Sequence, residues 1–209
     1  MRDTALIIID MQRDFCDPAG YAAKTGIDAA RLAAPIPILQ ALIPPLRAAG
    51  VTMIYTREGH RPDLSDCPPY KQARAIAAGA AIGAMGPLGR LLIRGEAGHD
   101  IVPELYPEPG DIVVDKPSYC AFHATDLGAI LRAQSISRLL FTGVTTDVCV
   151  HSTLRSAIDR GYDCVTIADA TACADDSIQE AMIRVIQGEG GIFGRVTTSA
   201  DLLRALAAG

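Results

Sequence analysis

The run Ala5-Leu6-Ile7-Ile8-Ile9 has no polar side chain and stops abruptly at Asp10. A strand that is apolar at consecutive positions must be covered on both faces. That is the mark of a parallel sheet held between helices, not of an antiparallel sheet with one wet face. Comparable runs recur at Val51–Thr56, Ile112–Val114, Arg138–Thr142 and Cys164–Ile167, with a shorter one near Arg195-Val196-Thr197. Helical patterns separate them. One covers 29–49, interrupted near Pro35, Pro37 and Pro44-Pro45 and closed by Gly50. The others are Leu127–Ala133, Cys149–Arg160 (stopped by Gly161), Ser177–Ile186 and Ala200–Ala208. Strand–helix alternation implies βαβ units. The expected fold class is therefore α/β: a three-layer α-β-α, Rossmann-like arrangement around a predominantly parallel sheet of about six strands.

Residues 57–110 break this rhythm. They are richer in Gly and Pro and less periodic, and they read as a loop-rich insertion with short helices over one end of the sheet. No repeat or linker divides the chain, so a single domain over 1–209 is expected. A hydrophobic content of 49% argues against disorder, and a net charge of -5 without a basic stripe argues against nucleic acid as a partner. Neither a spanning segment nor a signal peptide is read at the N-terminus, so a cytoplasmic protein without membrane partners is expected. Its six cysteines, with no CxxC pair, are then read as reduced thiols.

In parallel sheets ligands bind beyond the carboxyl ends of the strands. Three polar residues fall there: Asp10, Lys116 and Cys149. Cys149 lies in Gly143-Val144-Thr145-Thr146-Asp147-Val148-Cys149-Val150, between an apolar strand and a helical pattern. A helix start offers unpaired N–H groups and a positive dipole end, which favour a thiolate nucleophile and could hold an oxyanion. A carboxylate ending an apolar strand is desolvated and suits a general base. A strand-end lysine could balance both anions. Each has a plainer reading: Asp10 as a turn cap, Lys116 as a solvated loop residue, Cys149 as an inert core thiol. Their joint occurrence at strand ends favours the chemical one.

Together, Ile9-Asp10-Met11-Gln12-Arg13-Asp14-Phe15, Asp115-Lys116-Pro117-Ser118-Tyr119-Cys120-Ala121-Phe122 and Thr142-Gly143-Val144-Thr145-Thr146-Asp147-Val148-Cys149-Val150 resemble the isochorismatase-like cysteine hydrolases. The resemblance covers nearly the whole chain. It implies a catalytic triad of Asp10, Lys116 and Cys149, a cis peptide between Val144 and Thr145, and an oxyanion hole formed by the backbone N–H groups of Thr145 and Cys149. It also implies amide hydrolysis through a Cys149 thioester, with ammonia or an amine released, and a homo-oligomer, either dimer or tetramer.

Nicotinamidases of this superfamily hold a metal through an Asp-x-His after the second strand. The matching stretch here, Thr56-Arg57-Glu58-Gly59-His60, lacks it, so no metal and no cofactor is expected. The segments Thr56–Pro68 and Arg94–Asp100 look most like the biuret-type branch. Biuret is thus the favoured substrate, ahead of triuret, ureidoacrylate or an N-carbamoyl amino acid. Phe15, Phe122 and Gln187 are candidate substrate contacts; Phe122 could equally be core packing and Gln187 a helix cap. The alternatives are a nicotinamidase-like amidase, a non-catalytic member of the fold, and a redox-sensing thiol protein with Cys120 as partner to Cys149.

Overall fold

The computed structural model describes residues 1–208. The chain runs β1 (Thr4–Ile9), α1 (Arg13–Cys16), α2 (Tyr21–Lys24), α3 (Ala29–Ala33), α4 (Ile36–Ala48), β2 (Thr52–Glu58) and α5 (Pro69–Ala77), then a small hairpin of β3 (Met85–Gly86) and β4 (Gly89–Arg90). It continues with β5 (Ile112–Lys116), α6 (Leu127–Ala133), β6 (Arg138–Val144), α7 (His151–Ile158), β7 (Asp163–Ala172), α8 (Asp176–Gly191), β8 (Arg195–Thr197) and α9 (Ser199–Ala208). Six strands form one sheet in the order β5-β2-β1-β6-β7-β8, and every pairing in it is parallel. This is the α/β sandwich that the apolar runs predict.

Alternate side chains of β1 explain why its run is wholly apolar. Leu6 and Ile8 join a core with Leu39, Leu42 and Leu46 of α4, while Ala5, Ile7 and Ile9 join a second core with Leu127 and Leu131 of α6 and Leu154 of α7. Each fully buried leucine contributes roughly 1.5–3 kcal/mol, so the central strand is fixed from both sides. By length and composition Ala29–Ala48 would suffice to cross a membrane. Here it is two helices, α3 and α4, and its Leu32, Leu39, Leu42 and Leu46 are buried in the first core.

Three local expectations change. Pro44 and Pro45 do not interrupt α4. They sit on its outer side, next to exposed Gln40 and Ala41, whose carbonyls lose their helical donors and can be satisfied by water. β7 extends to Ala172, past a slip in its pairing with β6 between Phe141 and Gly143. Cys149 does not begin an ordinary helix: Thr146–Val150 form one wide π-helical turn before α7. The insertion contains more order than its composition suggests. Ala75 of α5, Tyr21, Ile82, Leu91, Leu92 and Ile93 make a third small core.

Register brings the chemistry together. Ile9 lies opposite both Thr56 of β2 and Gly143 of β6, and Glu58 lies opposite Lys116. The carboxyl ends of four adjacent strands therefore share one rim. From β1 the chain steps outward through β2 and β5 on one side and through β6, β7 and β8 on the other. That reversal is the switch point at which such sheets open a crevice. Gly143 makes the close approach possible: its φ is +97°, and a Cβ there would meet the Ile9 carbonyl oxygen at 2.0 Å.

Candidate active site

Asp10, the first residue past β1, turns the chain in the left-handed region with a φ of 51°, which Asp tolerates better than most residues. The turn sends its carboxylate to the rim, where Lys116 Nζ is 2.7 Å from Oδ2. The Thr56 hydroxyl donates to Oδ1 at 2.6 Å. Lys116, the last residue of β5, is completely buried. Its ammonium lies 3.5 Å from Cys149 Sγ and 3.4 Å from Glu58 Oε2, and it donates to the Ser118 carbonyl at 2.9 Å. The structure thus brings together the three residues singled out from the sequence.

Glu58 is a fourth member that the sequence reading passed over. Its Oε2 accepts the Cys149 thiol at 3.2 Å, and its Oε1 is 2.7 Å from the Lys71 ammonium. Glu58 is positioned from the neighbouring strand end. Gln12 Oε1 accepts the Glu58 N–H at 2.6 Å, while Gln12 Nε2 donates to the Glu58 carbonyl at 3.0 Å and to the His99 carbonyl at 2.8 Å. Asp14 performs a similar service for the insertion, accepting from the N–H groups of Tyr21 and Leu92. The polar residues after β1 therefore divide into one that faces the reaction site and two that staple the surrounding loops.

The electrostatics follow from two buried ammonium groups among three potential anions. Burial alone would raise the Glu58 pKa, but Lys116 and Lys71 together pull it down to about 2. Burial raises Asp10, against the pull of Lys116. Burial also opposes the charge on Lys116, yet Asp10, Cys149 and Glu58 hold it above the ordinary lysine value. The Cys149 thiol is pushed well above its ordinary 9.0 by burial, with Lys116 the main opposing influence. Desolvation is the largest of these influences, and the thiol donates its hydrogen bond to Glu58.

An Asp10 carboxylate must be ionised to take a proton, so its pKa should set the acid limb of any pH–rate profile. Thr56 lowers that pKa by hydrogen-bonding the carboxylate. Thr56→Val is therefore expected to move the acid limb to higher pH and leave the alkaline limb in place, at a stability cost of about 1 kcal/mol. A profile of kcat/KM against pH that does not move would remove Asp10 from the base role.

Ligand atoms of Asp10, Glu58 and Cys149 all lie within 4.8 Å of one another, as a metal cluster would require. The Lys116 ammonium sits among them and already supplies their positive charge. The donor set suits a lysine-centred anion cluster better than a cation site. His60 Nδ1 faces Asp66 at 3.2 Å. His99 is buried and drawn down to about 4, first by burial.

A cavity of about 500 Å³ opens onto this cluster. Cys149, Glu58, Val144 and Thr145 line it, as does Phe15. The Val144–Thr145 peptide bond is cis. Phe122 and Gln187, expected as substrate contacts, are not part of the lining. Phe122 stacks on Tyr162 with ring centroids 6.1 Å apart and lies beneath Arg160, packed into the second core. Gln187 is exposed on α8, one position before the backbone leaves helical geometry at Gly188. Cys120 is half-buried and also lies outside the lining. Tyr21, Arg74 and Tyr119 line the cavity without having been anticipated. A clearer signal was available for Glu58, a carboxylate at the end of a strand like Asp10. In the sequence the apolar run stops at Thr56, which places Glu58 within the 57–110 insertion.

Comparison with known proteins matches residues 4–201 to the isochorismatase domain. A ureidoacrylate amidohydrolase RutB of Azorhizobium caulinodans is 35% identical over 213 residues, an alignment covering 99% of this chain and 92% of that one. A cysteine hydrolase structure from Pseudomonas syringae pv. phaseolicola superposes with a TM-score of 0.85 at 29% identity, covering 99% of this chain and 93% of the other. An N-carbamoylsarcosine amidase from Thermoplasma acidophilum does so with a TM-score of 0.69 at 25% identity, covering 94% and 96%. By fold, strand-end motifs and this likeness, the chain belongs to the isochorismatase-like cysteine hydrolases.

Proposed function

We propose that this protein is a cysteine-dependent amidohydrolase that cleaves a C–N bond of a small ureide. The observation that carries the reading is the contact set around one buried ammonium: Lys116 Nζ at 2.7 Å from Asp10 and 3.5 Å from the Cys149 sulfur, beside a cavity that Cys149 lines. Asp10 takes the thiol proton as the substrate displaces water, and the sulfur attacks the ureide carbonyl. The N–H groups of Thr145 and Cys149 receive the oxyanion. Asp10 returns the proton to the departing nitrogen, which leaves as ammonia or an amine. The carbonyl stays on the sulfur as a carbamoyl thioester until water, activated by Asp10, releases it. Lys116 offsets the negative charge at each stage.

Among ureides, ureidoacrylate-like substrates are favoured over biuret. The relative from Azorhizobium is named for ureidoacrylate, and the cavity wall formed by Phe15, Ile27, Leu32 and Val148 is apolar. Such a wall suits a short hydrocarbon link, which biuret and triuret lack. Purified protein should release ammonia, directly or from the carbamate product, on incubation with ureidoacrylate or an N-carbamoyl amino acid. Biuret and triuret should react more slowly, and nicotinamide should not react. Inertness towards all the ureides would overturn the proposal.

A further inference from the structure

One turn of α5 separates Lys71 from Arg74. Positions 71, 74, 75 and 78 fall on one helical face, with Lys71 buried and Arg74 and Ala78 exposed at the cavity. Ala75 is buried, and Arg74 and Ala78 line the cavity. Lys71 and Arg74 flank the same ring, with Lys71 Nζ 5.1 Å and the Arg74 guanidinium 5.8 Å from the Tyr119 centroid. Their charges are handled differently. Lys71 is buried, ion-paired with Glu58 at 2.7 Å, and donates to the Pro117 carbonyl at 2.9 Å. Arg74 is exposed, and among the described residues no carboxylate lies within ion-pair distance of it.

The charged side chains lining the cavity are Glu58 and Arg74. Glu58 is already compensated by Lys116 and Lys71. The charge facing the cavity without a carboxylate partner at ion-pair distance is therefore positive, and it is a planar guanidinium 5.8 Å from the Tyr119 ring centroid. That fork matches a carboxylate in a bidentate manner. Arg74 and Cys149 line the same cavity, whose wall also includes the apolar side chains of Ile27, Leu32 and Val148.

We propose that Arg74 anchors a substrate carboxylate, so that the site selects ureide acids over neutral ureides. This rests on the amidohydrolase reading and assigns its specificity to one residue that touches substrate at the end remote from the reacting carbonyl.

The test measures binding, so that it stands apart from turnover. N-carbamoyl-β-alanine and its methyl ester differ in the negative charge and in one methyl group. Calorimetry on Cys149→Ala protein should find the acid bound on the order of 10–100-fold more tightly than the ester, the range expected of a charge-assisted pair. Adding Arg74→Met should abolish that preference by weakening the acid alone, and Arg74→Lys should retain part of it. Equal affinity for acid and ester, or equal weakening of both by Arg74→Met, would overturn the anchor. An acid preference in the Cys149→Ala protein, together with a parent protein that hydrolyses neither compound, would instead overturn the amidohydrolase reading and leave the anchor standing. In an active enzyme, Arg74→Met should raise KM for the acid and leave kcat within about threefold, because uniform binding is lost.

Discussion

Cys149→Ala protein is expected to fold as the parent does and to lose ureide hydrolysis by a factor on the order of 10⁴ or more, as when other enzymes lose a covalent nucleophile. The substitution removes one sulfur atom from a residue packed with Val150 and Leu154 in the second core. The void is small, and the lost burial should cost about 1 kcal/mol. The electrostatic change is mild as well, since the sulfur rests as a neutral thiol. Lys116 keeps Asp10 at 2.7 Å and the Ser118 carbonyl at 2.9 Å, and Glu58 keeps Lys71 at 2.7 Å. Chemistry and stability should therefore separate cleanly. Thermal melting within a few degrees of the parent, with no ammonia released above background, is the anticipated pair of results. Turnover at even a hundredth of the parental rate in this variant would rule out the sulfur as nucleophile. It would leave water, activated by Asp10, as the attacking species. Cys149→Ser should resemble the alanine variant, because a hydroxyl beside buried Asp10 and Glu58 is much harder to ionise than a thiol.

What the sequence reveals about this site depends on where strands end. Asp10 is legible because it closes an apolar run, Lys116 because it follows another with only Asp115 between, and Cys149 because it follows a third across the turn that begins at Gly143. The central strand is legible because burial on both faces leaves no polar position within Ala5–Ile9 to confuse the pattern. Glu58 is hidden by Arg57, whose pairing with Asp115 at 2.7 Å satisfies a charge inside β2 and makes the strand look finished too soon. Lys71 and Arg74 are hidden for a different reason. Their helix packs an alanine, not large apolar residues, so its inward face lacks the periodicity that marks α4. Phe122 and Gln187 show the limit of side-chain chemistry as a guide to the cavity lining. Their side chains have suitable chemistry, but position in the fold commits one to core packing and the other to solvent. Pro44 and Pro45 show that a helix-breaking residue can stay in a helix when the carbonyls it deprives face water.

Lys116→Met should be the most destabilising single change at this site. The ammonium is fully buried and is the shared partner of Asp10 and Glu58, with the Cys149 sulfur close by. Removing it leaves two buried carboxylates, with Lys71 serving only Glu58. Breaking a buried pair in this way costs about 3–5 kcal/mol, or a fall in melting temperature on the order of 10 °C for a chain of this size. The deficit should depend on pH in a defined direction. In the parent, Glu58 is drawn from 4.5 to about 2. Its contribution to stability is thus present above about pH 4.5 and is lost as the pH falls toward 2. In the variant that downward pull is weaker, and Asp10, already raised by burial, loses the neighbour that opposed the rise. A carboxyl raised in the folded state favours folding while protonated and loses that advantage as the pH climbs through its folded value. The gap between parent and variant should therefore widen from acid toward neutral pH. Asp10→Asn combined with Lys116→Met removes the orphaned charge and should recover part of the lost stability, a non-additivity measurable by a double-mutant cycle in urea. If the double variant is no more stable than Lys116→Met, or if the gap is flat between pH 4 and 7, the lysine acts through packing and not through charge. The electrostatic account of how this crevice holds an acid, an ammonium and a thiol together would then fail.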